Sequence, residues 1–222
     1  MQIHHLCLQE LPLFKGLDKE ETERFVEATG AVVKHYDKGA MLLRAYEHNA
    51  QIGVVVDGKA QIISEDRFGH EVLGHSLERG NMLGTSSAIL PEEDNGFAIK
   101  SLTSMLVLWI PYRALLTAGT RLGRVHGIVM KNMLEAFARK NLLMMDKLEL
   151  LSQKTLRERL IVYLLQNEQR QGQEQVQVPG RVQLAKELEC NRSALTREIS
   201  TMTEAGLLRC GADWMQLEKS LI

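Results

Sequence analysis

Arg192, Ser193, Thr196 and Arg197 are the residues whose types and spacing best suit a chemistry. Their positions place all four on one side of an α-helix. Arginine there offers a planar fork of donors that matches O6 and N7 of guanine in a major groove, while serine and threonine hydroxyls bond bases or phosphates. The chemistry is non-covalent reading of duplex DNA by the start of a recognition helix. An ordinary helical hairpin with solvated arginines would carry the same four residues, so the surrounding elements must decide.

Those elements form a consistent frame. Leu184, Ala185 and Leu188 make one apolar helical face, Glu189-Cys190-Asn191 interrupts it, and Ala194, Leu195, Ile199, Met202 and Leu207 make a second. The pattern predicts helix, tight turn, helix, with Asn191 as N-cap of the second and small Ala185 at the crossing. Gly206 ends that helix, and Leu207–Cys210 with Trp214–Leu217 predict a hairpin wing around Gly211-Ala212-Asp213. Upstream, Thr155-Leu156-Arg157-Glu158 is a capping box opening a helix to about Gln169. Gln171-Gly172-Gln173 then reads as a polar turn, and Gln175–Val178 as a short strand ended by Pro179-Gly180.

Before this segment lies a long helical pattern, Arg121 to Ser152, on the order of 45 Å at 1.5 Å per residue. Met130, Leu134, Phe137, Asn141, Met144, Leu148 and Leu151 alternate in steps of four and three, the a/d seam of a coiled coil. A polar Asn141 within that seam is a device that fixes register and strand number in a parallel dimer. Alternatively the stripe packs on the chain's own β-domain and Asn141 is a solvated edge. A second stripe, Val125, Val129, Met133 and Ala136, favours dimerisation, because a helix apolar on two faces needs two covering surfaces.

Residues 31–110 read as an all-β barrel: Ala31–Tyr36, Ala40–Leu43, Ile52–Val56, Ala60–Ser64, Val72–Ser76, Phe97–Ser101 and Met105–Ile110 are short β-rich runs. Asp37-Lys38-Gly39, Asp57-Gly58, Phe68-Gly69 and Gly80-Asn81 supply the turns, and Asp57-Gly58 predicts a hairpin joining Val54–Val56 to Lys59–Ile63. Asp18-Lys19-Glu20-Glu21 caps a short helix through Ala28.

The bulk properties fit two domains, since 222 residues with 45% hydrophobic and 25% charged content can bury two cores. The absence of a signal-like start or a 20-residue apolar run points to a cytoplasmic protein with no membrane partner. Three scattered cysteines, Cys7, Cys190 and Cys210, suit a reducing compartment. A net charge of −1 gives no hint of nucleic acid, so any positive patch must be made by folding.

In order and spacing, the chain resembles the CRP/FNR superfamily of bacterial regulators over nearly its whole length. The resemblance is carried by Leu11-Pro12-Leu13-Phe14-Lys15-Gly16-Leu17, Tyr36-Asp37-Lys38-Gly39, Val54-Val55-Val56-Asp57-Gly58, Gly80-Asn81-Met82-Leu83-Gly84, Arg157-Glu158-Arg159-Leu160 and Cys190-Asn191-Arg192-Ser193-Ala194-Leu195-Thr196-Arg197. It implies an α+β chain with a β-roll effector domain at 1–120, a cyclic-nucleotide-binding-like double-stranded barrel. A dimerisation helix at 121–152 and a winged helix-turn-helix at 153–222 follow. The implied partners are a palindromic DNA operator, a second copy, a small effector and RNA polymerase. Arg197 stands where the family's near-constant recognition arginine falls and Arg192 at its more variable base reader. Ser193 replaces a common glutamate, so the half-sites should differ.

The sensor side departs from that pattern. Gly84-Thr85-Ser86-Ser87 stands where cyclic-nucleotide binders carry a ribose-binding glutamate, and Asn95-Gly96-Phe97-Ala98 where they carry a phosphate-binding arginine. A buried phosphate would lack its counter-charge, which argues against cyclic AMP. The expected effector contacts are Gly84, Thr85, Ser86, Ser87, Phe137 and Met144, with the small polar groups taking a carboxylate and the others an apolar body. No cofactor or metal is expected: Cys7 stands alone, His4-His5-Leu6-Cys7 is too clustered to close a site, and His75 reads as a packed or surface residue. Cys190 reads as a small helper at the turn, with oxidation there able to disturb DNA binding. The alternatives are a constitutive regulator without ligand and a cupin-like metal enzyme. The latter suits the sequence poorly because His35, His48, His70 and His75 are scattered and no nucleophile–base arrangement is visible.

Overall fold

The computed structural model describes residues 7–65, 71–91 and 96–218, with backbone alone for Glu65, Glu71, Val72, Leu73 and His75. His4, His5, Phe68-Gly69, His70 and Asn95 lie outside the described residues. Two 3-10 turns, Leu8–Glu10 and Pro12–Phe14, precede α1 (Lys19–Thr29), and the strands β1 (Val32–Tyr36), β2 (Met41–Leu43), β3 (Gln51–Asp57), β4 (Ala60–Glu65), β5 (Glu71–Leu77) and β6 (Met82–Leu83) follow. Then come α2 (Thr85–Ile89), β7 (Phe97–Ser101), β8 (Met105–Pro111), α3 (Tyr112–Thr117), α4 (Gly119–Leu122) and α5 (Arg124–Ser152). The chain ends in α6 (Leu156–Gln171), β9 (Val176–Gln177), α7 (Arg181–Glu187), α8 (Arg192–Glu204), β10 (Leu208–Cys210) and β11 (Trp214–Leu217). Two compact units result, Met1–Ala136 and Phe137–Ile222, and the division falls within α5.

The first unit is a β-roll of two antiparallel four-stranded sheets, ordered β1-β8-β3-β6 and β2-β7-β4-β5. Val55, Leu83, Ile99, Val107 and Trp109 fill the space enclosed by the strands. The intervening side chains of the central strands, Ile52, Val54, Leu108 and Ile110, are buried too. This double burial explains why β3 reads as a continuous apolar run. Phe14 and Phe25 meet edge to face at 5.5 Å. Val125, Val129 and Met133 of α5 are buried, and Asn132 donates to the carbonyls of Leu13 and Lys15 at 2.9 and 2.8 Å. Of the second apolar stripe, Val125, Val129 and Met133 are thus covered within the chain, and Ala136 is half-buried.

Two local expectations are corrected. Asp57-Gly58 does not close a hairpin: β3 pairs with β8 and β6, whereas β4 pairs with β5 and β7. The turn carries the chain from one sheet to the other. Gly58 sits at φ +88°, and a Cβ there would lie 2.4 Å from the Ser104 carbonyl oxygen. A corner and a hairpin need the same left-handed glycine, so the dipeptide cannot distinguish them. The long helix begins at Arg124 rather than Arg121, because Gly123 at φ 49° and ψ −117° separates it from α4. Asn191 stands at the N-cap of α8, as expected, with extended backbone and without a side-chain cap bond. Its exposure leaves the first-turn amides to solvent.

Capping boxes form where expected. Asp18 and Glu21 exchange bonds at α1, and at α6 Glu158 accepts from the Thr155 amide at 2.9 Å while Thr155 Oγ1 accepts from the Glu158 amide at 3.2 Å. The bond from the Thr155 amide holds the Glu158 carboxyl below its ordinary range. Its contribution is therefore present above the ordinary carboxylate pKa and lost as pH falls through the depressed one.

Candidate nucleic-acid interface

In the second unit α8 turns Leu195, Ile199 and Met202 into a core shared with Leu160, Leu164, Leu184, Leu188, Leu208 and Met215. Helical periodicity then leaves Arg192, Ser193, Thr196 and Arg197 together on the exposed side. Thr196 Oγ1 donates to the Arg192 carbonyl at 2.9 Å, which leaves its lone pairs free to accept. Neither the Arg192 nor the Arg197 guanidinium has an ion-pair or hydrogen-bond partner among the described residues. Two donor forks stand five residues apart on one open face.

The frame around α8 is fixed from several sides. Arg157 Nε donates to Glu198 Oε1 at 2.6 Å, tying the start of α6 to the middle of α8. β10 and β11 pair from Leu208↔Leu217 to Cys210↔Met215, forming the wing, and β9 joins it through Met215↔Val176. Arg159 Nη1 donates to the Leu188 carbonyl at 2.8 Å, and Lys147 Nζ donates to the Glu187 carbonyl at 2.6 Å. These two cations were not legible as site residues: Lys147 is 40 positions from the carbonyl it meets. Cys190 is half-buried against the core, and burial pushes its thiol pKa up.

Gly84 opens α2, with Thr85 half-buried, Ser86 exposed and Ser87 buried. Ser87 Oγ donates to the Gly84 carbonyl at 3.2 Å and accepts from Asn49 Nδ2 at 3.2 Å. Its hydroxyl is occupied within the fold. Along α5, Leu134, Met144 and Leu148 are 61, 58 and 67% exposed, Asn141 is exposed, and Met130 and Phe137 are half-buried. Leu151 packs partly on the core of the second unit.

Among the described residues no group of three or more His, Cys, Asp or Glu side chains could hold a metal ion, and no helix is long and apolar enough to cross a membrane. One juxtaposition was invisible in the sequence: His35 Nε2 lies 2.8 Å from Ser104 Oγ, and His35 Nδ1 lies 3.9 Å from Asp37. The carboxylate is too distant to hydrogen-bond the ring and is exposed, so it does not fix the imidazole as a catalytic base requires.

No family model matches the sequence, and no curated protein matches it. Solved structures do. The chain superposes on the Thermus thermophilus catabolite activator protein with a TM-score of 0.54 at 23% identity, over 95% of each chain. CprK complexed with OCPA gives 0.60 at 12% identity over 88% of this chain and 91% of that one. The N-terminal domain of a transcriptional regulator from Streptomyces coelicolor A3(2) gives 0.50 at 18% identity, covering 62% of this chain and 94% of that domain. A two-sheet roll, a long helix and a winged helix-turn-helix, in this order and superposing along nearly the full length, give the chain the fold of the CRP/FNR-type regulators.

Proposed function

We propose that the chain is a homodimeric, sequence-specific DNA-binding transcription regulator. The observation that carries this reading is the open face of α8, where Arg192, Ser193, Thr196 and Arg197 stand together over a packed core with both guanidinium groups unpaired among the described residues. Two copies joined along the Leu134–Leu148 seam would present two recognition helices. A dimer of this kind selects a palindromic operator with half-sites about one DNA turn, roughly 34 Å, apart. Selection of bound duplexes from a random library, at fixed salt, tests the proposal. An enriched inverted repeat is the expected result, and unenriched binding both with and without cell extract would defeat it.

Replacing Arg197 by Ala is expected to weaken operator binding by about 1–3 kcal/mol and to relax one base position while leaving random duplex almost unaffected. Titration of the variant against operator and scrambled duplexes checks this. An equal loss on both would assign Arg197 to phosphate.

We also propose a small effector other than cyclic AMP, contacted in the first unit at Gly84, Thr85 and Ser86. Those groups bring no cation to a cyclic phosphate. A regulator without an effector is the second reading, favoured by the filled roll: a Cβ on Gly53 would lie 2.7 Å from Leu83, and Trp109 Nε1 is bonded to the Tyr36 hydroxyl at 2.9 Å. Enrichment of the same repeat with and without cell extract distinguishes them.

A further inference from the structure

The turn between α7 and α8 is held by two positive side chains that come from outside the helix-turn-helix. Residues 187–189 end a helix, so their carbonyls have no partner in the next turn of backbone. Lys147 of α5 donates to the Glu187 carbonyl at 2.6 Å and pairs with the Glu189 carboxylate at 3.4 Å. Arg159 of α6 donates to the carbonyls of Leu188 and Glu189 at 2.8 and 3.4 Å. Cations on the last carbonyls of a helix satisfy those acceptors and oppose the negative end of its dipole. Glu189 adopts φ +50°, a conformation costly for a residue with a side chain, and α8 begins three residues later. The path between that strained residue and Arg192 is therefore short, and the turn sets how α8 is presented.

The segment of α5 that carries Lys147 is itself anchored within the second unit. Arg170 pairs with Asp146, Gln166 donates to the Asp146 carbonyl at 3.0 Å and to Glu149 at 2.9 Å, and Leu150 is buried in the core. Lys147 thus leaves a helix turn locked to α6 and reaches the turn before α8. Its neighbours Met144 and Leu148 belong to the exposed seam.

We infer that Lys147 is a positioning residue that couples the dimerisation helix to the DNA-reading helix by latching the α7–α8 turn. The inference rests on the DNA-reading proposal. Because the turn of α5 that bears Lys147 is locked to α6, a rotation or slide of the seam is passed on through Lys147 to the Glu187 carbonyl and the α7–α8 turn, so seam geometry biases the presentation of Arg192 and Arg197.

The test uses the full chain and the duplex enriched by selection, with scrambled duplex alongside and dimerisation followed by sedimentation equilibrium. Lys147→Met should lower the operator-to-scrambled affinity ratio about five- to tenfold, in the range of a coupling between sites, with dimerisation unchanged. Lys147→Arg should restore the ratio to within about twofold, since it keeps the donor and the charge. An unchanged ratio, an equal loss on both duplexes, or loss of the dimer in Lys147→Met would each overturn the latch. Should Lys147→Met fail to fold, Glu189→Gln serves: about a two- to threefold fall in the ratio supports the latch and no change overturns it. A wild-type chain that enriches no duplex would defeat the DNA-reading proposal itself, whereas enrichment by wild type with an unaffected Lys147→Met defeats the latch alone.

Discussion

A chain carrying Leu134→Glu and Leu148→Glu together is expected to sediment as a monomer and to lose operator binding by at least about a hundredfold. Both leucines are largely exposed in the single chain, at 61 and 67%, so the change should leave each unit folded, with an unaltered circular dichroism spectrum. In a dimer packed along this seam the substitutions would bury four carboxylates without partners. The effective penalty is several kcal/mol per ion, more than a coiled-coil interface of this length can offset. A half-site held by one helix then lacks the second anchor that makes palindrome recognition tight. A double variant that still sediments as a dimer would mean that another surface joins the copies.

Gly58→Ala is expected to destabilise the first unit by about 2–4 kcal/mol, lowering its melting temperature while the second unit melts as before. Two effects combine. An alanine at φ +88° has a left-handed backbone cost of roughly 1–2 kcal/mol, and its Cβ would stand 2.4 Å from a backbone oxygen at Ser104, which cannot rotate away. Gly30→Ala separates the two. Gly30 has φ +65° with nothing within 4 Å of a built Cβ, so it should show only the backbone part. Equal shifts for both variants, read by thermal denaturation followed in the near ultraviolet, would show that the corner yields to the methyl group.

Much of this fold was legible because its local signals are short-ranged. The boxes at Asp18 and Thr155 depend on residues three apart, and the strands at 97–101 and 105–111 fall within a residue of their expected bounds. The face of α8 follows from periodicity, with Leu195, Ile199 and Met202 inward and the four polar residues outward. What remained hidden depends on pairings distant in the chain. Strand β6 is two residues long and exists only through Gly53↔Leu83 and Val54↔Met82, a pairing no window centred on Met82 contains. The helix at Thr85–Ile89 lacks a side-chain cap, and Asn49, which binds Ser87 and the Gly84 carbonyl, comes from an earlier loop. Among the expected contact groups, Ser87 was legible as a residue type, but its inward direction was not. Lys147 and Arg159 read as ordinary helix-surface charges until folding brings the end of α7 beside them.

The burial of Leu150 constrains how such chains can be recombined. It is 3% exposed within the core of the second unit, while Leu148, two positions earlier, is turned outward. The last two turns of α5 thus have one face in the core and another that the proposed dimer would cover, so their sequence cannot drift to suit one alone. An exchange of parts between homologous chains that cut at Gln153 would strip the second unit of a core side chain and of Lys147. A cut just before Phe137 would carry both along. The functional joint of the gene should therefore lie inside the long helix, roughly four turns ahead of its end.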